Sequence, residues 1–373
     1  MTPKEVLLAR REKPRLDKEG ALSSGSTLLN LACTDTPFYA FMKGGYYYLV
    51  GDSASGKTFT TLTCFAEACR KKAFRDYTLI FDDVEGGALM DIEHYFGKSV
   101  AERMEAPAYK KGQPVFSDTI ESFYYHITDR INAGKPFIYV LDSQDSLGSS
   151  AAAKKFAKQK RAAEEAGEAK GSFGDGKAKY HSENLRNVLA GLKKTRSILI
   201  VIGQTRDNLG MSFEKKTRSG GKALRFYANL EIWTSVKQKI KRPVRGKKRT
   251  IGVTCLAEIK KNRVTGKIGK DRAVEIPIYY DLGIDDVGSC VDYLILESHW
   301  RKVKKKGKEG VAEEQESKRK IYDAKELLFE GSRDAIIAHI EQEGMETTVR
   351  KLVAQVWHAI EAECLSHRKR RYE

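Results

Sequence analysis

Strand-length apolar runs alternate with amphipathic stretches through the first two hundred residues. Residues 45–50 (GYYYLV) read as a buried strand, and 57–72, free of Gly and Pro, as a helix. A second strand is expected over 77–81. A helix over 118–132 follows, with Asp118 and Glu121 as its capping pair and Gly134 as its stop. Strands over 137–141 and 197–202 flank a helix over 183–195 whose Leu185, Val188, Leu189 and Leu192 form one stripe. Residues 204–221 are polar, basic and Gly-containing, and predict a long loop. Strands resume over 228–236, 250–259 and 273–280. After Gly288 the pattern turns helical, most clearly over 333–343 and 347–362, and no internal repeat is visible. Strand–helix alternation from 45 to 202 predicts an α/β fold, a mainly parallel sheet with helices on both faces.

Three segments interrupt this pattern. Residues 1–25 are polar and basic and predict an N-terminal arm. Residues 149–179, rich in Ala, Lys, Glu and Gly, look like a basic insertion into a core spanning 26–287. Residues 288–373 are expected to form a small C-terminal α/β domain with a basic tail. A length of 373 residues with 41% hydrophobic content supports cores of that size, and excludes a wholly disordered chain. The apolar runs are strand-length, short of the roughly 20 residues a membrane helix needs. The N-terminus carries no apolar leader. Six cysteines (33, 64, 69, 255, 290 and 364) make no C-x-x-C pair and no zinc spacing, so a reduced, cytoplasmic protein is expected. The seven histidines are scattered and suggest no metal site.

Charge narrows the class of partner. The net charge is +17, and it is clustered. Residues 237–250 (KQKIKRPVRGKKRT) hold eight basic residues and no acid, 260–272 hold six against one, 301–308 hold six, and 368–371 are all basic. Each run alone reads as a solvated loop or tail. Together they point to a polyanion, nucleic acid before a membrane surface, since no amphipathic helix with an aromatic face accompanies them.

The chemistry is concentrated in Gly51-Asp52-Ser53-Ala54-Ser55-Gly56-Lys57-Thr58, a full G-x-x-x-x-G-K-[ST] between an expected strand and helix. Two glycines let the backbone wrap phosphate oxygens, and amides 53–58 with the positive helix end face them. Lys57 neutralises the outer phosphates, and the Thr58 hydroxyl is placed to ligate Mg2+. The strand FIYVLD (137–142) ends in Asp142, a second metal-binding position. LIFDDVE (79–85) brings acids to the end of the strand lying between these two in sequence. Glu85 is the expected carboxylate for polarising an attacking water, with Asp82 and Asp83 in reserve. Gln204 ends the next strand, where a polar side chain senses the terminal phosphate.

In order and spacing these parts resemble the bacterial RecA recombinase family: GDSASGKT, FDDVE, IYVLDS, ILIVIGQTR, GGKALRFYANLEIW (220–233) and EIKKNRV (258–264). The stretch from Val291 to Lys304 is similar to that family's small C-terminal domain, and the resemblance covers roughly residues 22–345. It implies a RecA-like P-loop NTPase core and a DNA-dependent ATPase that uses ATP and Mg2+. Such a protein coats single-stranded DNA as a helical filament, pairs it with a homologous duplex, and hydrolyses ATP between subunits. By the same resemblance, Glu85 activates water and Gln204 couples nucleotide state to the loop that follows. Lys261 and Arg263 reach the γ-phosphate of a neighbouring subunit. The loop 205–219 is similar to the second DNA-binding loop, with Arg206, Lys215, Lys216 and Arg218 on phosphates and Met211 and Phe213 among bases. The insertion falls where the first DNA loop lies.

Several features depart from the pattern. The lead-in is short, Glu85 is followed by Gly86-Gly87, the insertion is long and basic, and the chain ends HRKRRYE where the family typically ends acidic. A basic tail favours duplex binding. Such divergence fits a viral or mobile-element relative. The motifs leave two other readings open: a RecA-fold DNA motor of helicase type, forming a ring, and an ATP-switched DNA-binding protein without strand exchange.

Overall fold

In this computed structural model, residues 2, 21–150, 177–207, 216–218, 221–303, 320–366 and 368–369 are described. Seven strands carry the main sheet: β1 (Tyr46–Gly51), β2 (Thr78–Asp83), β3 (Phe137–Asp142), β4 (Ile198–Asp207), β5 (Leu230–Val244), β6 (Lys247–Asn262) and β7 (Val274–Tyr279). Their spatial order is β7-β6-β5-β1-β4-β3-β2, with short edge strands Gly283–Ile284 beside β7 and Met104–Glu105 beside β2. The strands from β5 to β2 are mutually parallel, as is the Met104–Glu105 edge, whereas β5, β6, β7 and the Gly283–Ile284 edge pair antiparallel. The mostly parallel centre expected from the alternation is present. In space β4 separates β1 from β3, and β2 lies outside β3.

The central strands are apolar at every position because both faces are covered. Tyr47, Leu49, Ile138, Val140, Ile198, Ile200 and Ile202 face one apolar cluster. Their neighbours Tyr46, Tyr48, Val50, Tyr139, Leu141, Leu199 and Val201 face the other. The first face is covered by α1 (Thr27–Thr34) and α2 (Lys57–Arg70), the second by α3 (Ile120–Asn132), α4 (Lys177–Thr195) and α5 (Gly221–Tyr227). Leu185, Val188 and Leu192 of the predicted stripe are buried there and Leu189 is partly buried. Helix α3 starts one residue later than Asp118 as cap implies. Thr119 and Ser122 form its capping box, Asp118 accepts from both their hydroxyls, and Glu121 accepts from the Ser150 amide. Gly134, at φ 74, follows its C-cap as expected.

Beyond β7 come α6 (Asp286–Leu296), a three-stranded antiparallel sheet (Arg301–Lys302, Tyr322–Ala324, Phe329–Gly331), α7 (Arg333–Gln342) and α8 (Glu346–Glu363). Val291, Leu294, Trp300, Ile336, Ile340, Val353 and Trp357 join the same apolar cluster as α1. Polar ties reinforce the junction. Asp286 accepts from the Thr27 amide (2.6 Å) and hydroxyl (2.9 Å) and from Arg350 Nε (3.0 Å), while Arg272 and Lys267 both bridge Asp35 to Glu361.

Two segments read as loops prove to be β-structure. Lys216–Arg218 folds back on β4, pairing Thr217 with Arg206. The basic run 237–250 is the continuation of β5 and β6 into one long hairpin, turned by Arg245 and Gly246 at positive φ. That two-residue turn matches the twist of the paired strands.

Candidate nucleotide site

The Gly51–Thr58 loop leaves β1 at Gly51 and enters α2 at Lys57. A Cβ on Gly51 would collide with Thr234 and Ser55, whose hydroxyls are themselves 2.8 Å apart, so β5 presses directly on the loop. Gly56 caps α2 at φ 80, and a Cβ there would meet Ile278 and Cys255. Asp52 is half-buried, Ser53 and Ala54 are exposed, and Ser55 is buried, its hydroxyl donating to the Asp52 carbonyl at 2.7 Å. The first amides of α2 have no partner within the helix, and the helix dipole adds positive potential at the same place.

Lys57 is buried at 8% exposure, and its Nζ donates to the carbonyls of Gly51 (3.0 Å) and Asp52 (2.6 Å). Burial pulls its pKa down, an effect opposed by Asp142, Glu85, Asp52 and Asp145. Thr58 Oγ1 donates to Asp142 Oδ2 at 2.5 Å. The two predicted metal positions, 84 residues apart in the chain, therefore touch. Burial raises the Asp142 pKa to about 6; the Thr58 hydrogen bond and Lys57 act against this, while Glu85 and Asp83 reinforce it. A hydroxyl beside a crowded carboxylate fits a hard divalent cation, which takes oxygen ligands and would relieve the crowding. Among the described residues no three His, Cys, Asp or Glu side chains gather as a metal cage.

The crowding has a measurable consequence. A carboxyl whose pKa rises from 3.8 toward 6 on folding opposes folding fully above pH 6, and not at all below pH 4. Asp142→Asn should therefore stabilise the metal-free protein by about 1–3 kcal/mol at pH 7.5. The gain should shrink as pH falls from 6 toward 4. Melting curves in chelator across that range check it; an Asn variant less stable at pH 7.5 would contradict the assigned burial cost.

Glu85 and Gln204, 119 residues apart in sequence, meet at the mouth. Glu85 Oε1 accepts from Gln204 Nε2 (2.9 Å), from Ser146 Oγ (3.2 Å) and, in a short contact, from Ser143 Oγ. Asp83 holds the two glycines after Glu85: its carbonyl accepts from the Gly86 amide (3.3 Å) and its carboxylate from the amides of Gly87 (3.1 Å) and Ala88 (3.2 Å). Asp82 faces inward and is fully buried, accepting from Ser117 and Tyr139. Neither reserve carboxylate competes with Glu85 for the mouth. Asp52 accepts a short hydrogen bond from Thr205, which joins the phosphate loop to the strand carrying Gln204.

Lys261 and Arg263 lie elsewhere. Lys261 is paired with Glu231, which sits in register with Tyr48, three residues before Gly51 and toward the opposite edge of the sheet. Lys261 donates to the carbonyls of Arg225 (2.6 Å) and Phe226 (2.7 Å), and Arg263 to that of Phe226 (2.8 Å). Burial, with Arg263 and Arg225 nearby, pulls the Lys261 pKa down to about 8. Within one chain these cations do not join Lys57. Of the expected DNA-contacting residues, Met211, Phe213 and Lys215 lie outside the described residues. Arg206, Lys216 and Arg218 are described as backbone of the β4 hairpin.

Sequence reasoning missed the space beside the loop. A cavity of about 330 Å3 is lined by Gly56–Phe59 and by Met90, Tyr95, Ile278 and Tyr280. The Tyr95 hydroxyl donates to the Tyr280 carbonyl in a short contact bridging 185 residues, a pairing no local signal carries. Ser143, directly after Asp142, was open to recognition by position.

The fold is a mostly parallel α/β sheet that carries this mouth at the C-terminal ends of its parallel strands. The family model of the RecA N-terminal domain matches residues 153–285. RecA of Chlorobaculum parvum is 27% identical over 286 residues, covering 74% of this chain and 70% of its own. RecA of Cytophaga hutchinsonii is 28% identical over 286 residues, covering 73% and 67%. RecA of Rickettsia canadensis is 28% identical over 293 residues, covering 75% and 72%. A crystal structure of the RadB recombinase overlaps 70% of this chain and 98% of its own, at 17% identity and a TM-score of 0.45. The family model and the RecA relatives bear out the resemblance to the RecA family. The family-model match begins beyond Gly51–Thr58 and Asp142, so those positions rest on their own residues and geometry. No helix among the described residues is long and apolar enough to cross a membrane.

Proposed function

We propose that this chain is a DNA-dependent ATPase that binds single-stranded DNA and promotes homologous pairing and strand exchange as a helical filament, in the cytoplasm. The observation that carries the reading is the convergence at the C-terminal edge of the parallel strands. Thr58 meets Asp142 there, and Glu85 meets Gln204. Residues Gly51 to Thr58 bind the triphosphate, with Lys57 neutralising its charge. Thr58 and Asp142 hold Mg2+, which supplies charge neutralisation between phosphates. Tyr95, Met90 and Tyr280 flank the cavity where a base fits. Glu85 orients and polarises the attacking water, and Gln204 releases Glu85 to report on the terminal phosphate. Thr205, one residue on, carries that movement into the hairpin bearing Arg206, Lys216 and Arg218. Lys261 and Arg263 act on the neighbouring subunit's nucleotide, which accounts for their distance from Lys57 in the same chain.

Electron microscopy with single-stranded DNA and a non-hydrolysable ATP analogue tests the assembly. Continuous helical filaments are expected; closed rings favour a motor instead. Lys261→Ala with Arg263→Ala should lower ATP turnover at least about tenfold in assembled protein, as loss of a charged group that stabilises the transition state does. Equal loss in verified monomers would place both residues in their own chain's site.

A further inference from the structure

The long β5–β6 hairpin is not accounted for by the nucleotide site. β5 pairs with β1 over Leu230–Thr234, where Thr234 stands opposite Gly51. It then continues past the phosphate loop at the same sheet edge. β6 is paired with β7 only over Gly252–Ala257. Beyond Ile240 and Ile251, whose carbonyl accepts from the Tyr280 amide, the two strands pair only with each other among the described residues, and a register shift follows Ile240. Four residues and a tight turn remain, an arm of about 14 Å at roughly 3.4 Å per residue.

The arm is one-signed. No Asp or Glu occurs between Glu231 and Glu258. Arg242 stands directly opposite Arg249 on one face, and Lys248 opposite Pro243 on the other. Lys241, Arg242, Arg245, Lys247, Lys248 and Arg249 are exposed, and none has a carboxylate partner among the described residues. Like charges set directly across a ribbon oppose its pairing. Lysine and proline do blunt exposed edges against aggregation, but mixed signs would serve that end without the repulsion. The charge on both faces is therefore matched to a polyanion.

Two features choose the polyanion. Residues 234–278 contain no Phe, Tyr or Trp, so the arm offers no ring on which unpaired bases stack. A two-stranded ribbon also has the width that the major groove of a duplex admits. We infer that the β5–β6 arm is a duplex-DNA-binding element that grips phosphates without reading sequence, distinct from the single-strand site on the β4 hairpin. It extends the DNA-binding reading above and rests on it. It places a duplex at the same edge of the sheet as the nucleotide mouth.

Fluorescence anisotropy without nucleotide, on a labelled duplex and a labelled oligothymidine over stepped salt, tests this. In the variant Arg242→Gln, Lys247→Gln, Lys248→Gln, Arg249→Gln, duplex affinity should fall at least about tenfold at low salt. The slope of log K against log salt should flatten by about three to four, near 0.9 per lost phosphate contact. Oligothymidine binding should stay within about threefold of the parent, since no stacking surface is lost. The charge-conserving variant Arg242→Lys, Lys247→Arg, Lys248→Arg, Arg249→Lys should bind duplex as the parent does and exclude misfolding as the cause. Unchanged duplex affinity and slope in the Gln variant overturn the inference, as does an equal loss on both DNAs. A parent that binds duplex through the arm yet hydrolyses no ATP with single-stranded DNA would sink the ATPase reading alone.

Discussion

Lys57→Ala should reduce ATP turnover at least about a hundredfold, the loss of some 2.7 kcal/mol or more of transition-state stabilisation. The local charges set this size. Asp142, Glu85, Asp52 and Asp145 all act on the Lys57 ammonium. With it removed, a polyphosphate enters a mouth lined with carboxylates and faces repulsion. The ammonium also works without solvent, at 8% exposure, where charge is weakly screened. The fold itself should survive. Among the described residues Lys57 donates to the Gly51 and Asp52 carbonyls, beside exposed loop positions where water can replace it. Turnover with single-stranded DNA, read against a thermal melt of the same sample, separates the two effects. Turnover equal to the parent would remove the phosphate-loop assignment.

How much of this was legible follows from how far each contact reaches. The place of residues 51–58 between a strand and a helix was readable because the signal is local: two glycines, a lysine and a threonine within eight residues. The central strands were readable because both faces are buried, leaving continuous apolar runs such as 198–202. The meeting of Thr58 with Asp142 was expected, since the parallel fold brings strand ends to one edge. The Tyr95–Tyr280 contact was not, because nothing near either residue marks the other. The basic run 237–250 hid its β-structure for a different reason. A ribbon exposed on both faces has no apolar alternation, and only backbone pairing reveals it. At α3 the local signal itself was ambiguous. Asp118, Thr119, Glu121 and Ser122 all suit an N-terminus, and hydroxyl geometry selected Thr119 with Ser122.

Replacing Glu85 by Gln should separate binding from chemistry. The carboxylate accepts from Ser143, Ser146 and Gln204 through a single oxygen, Oε1. An amide oxygen, with two lone pairs, can keep two of these three hydrogen bonds, so the mouth keeps most of its shape. What is lost is the anionic charge that polarises water, a contribution of about 10²–10⁴ in rate for a positioned general base. Turnover should therefore drop by about that factor while affinity for a non-hydrolysable analogue changes less than about threefold, because no phosphate contact is removed. Filaments of the variant on single-stranded DNA should persist, since the cycle stalls before hydrolysis. Gln204→Ala makes the informative partner. It frees Oε1 of one donor without removing the charge, so its loss in turnover should be smaller and should come with weaker coupling between ATP and DNA binding. Full DNA-stimulated turnover in the Glu85→Gln protein would mean that another group activates the water. With Asp82 buried against Tyr139 and Asp83 occupied by two amides, it would have to come from outside the β2 terminus.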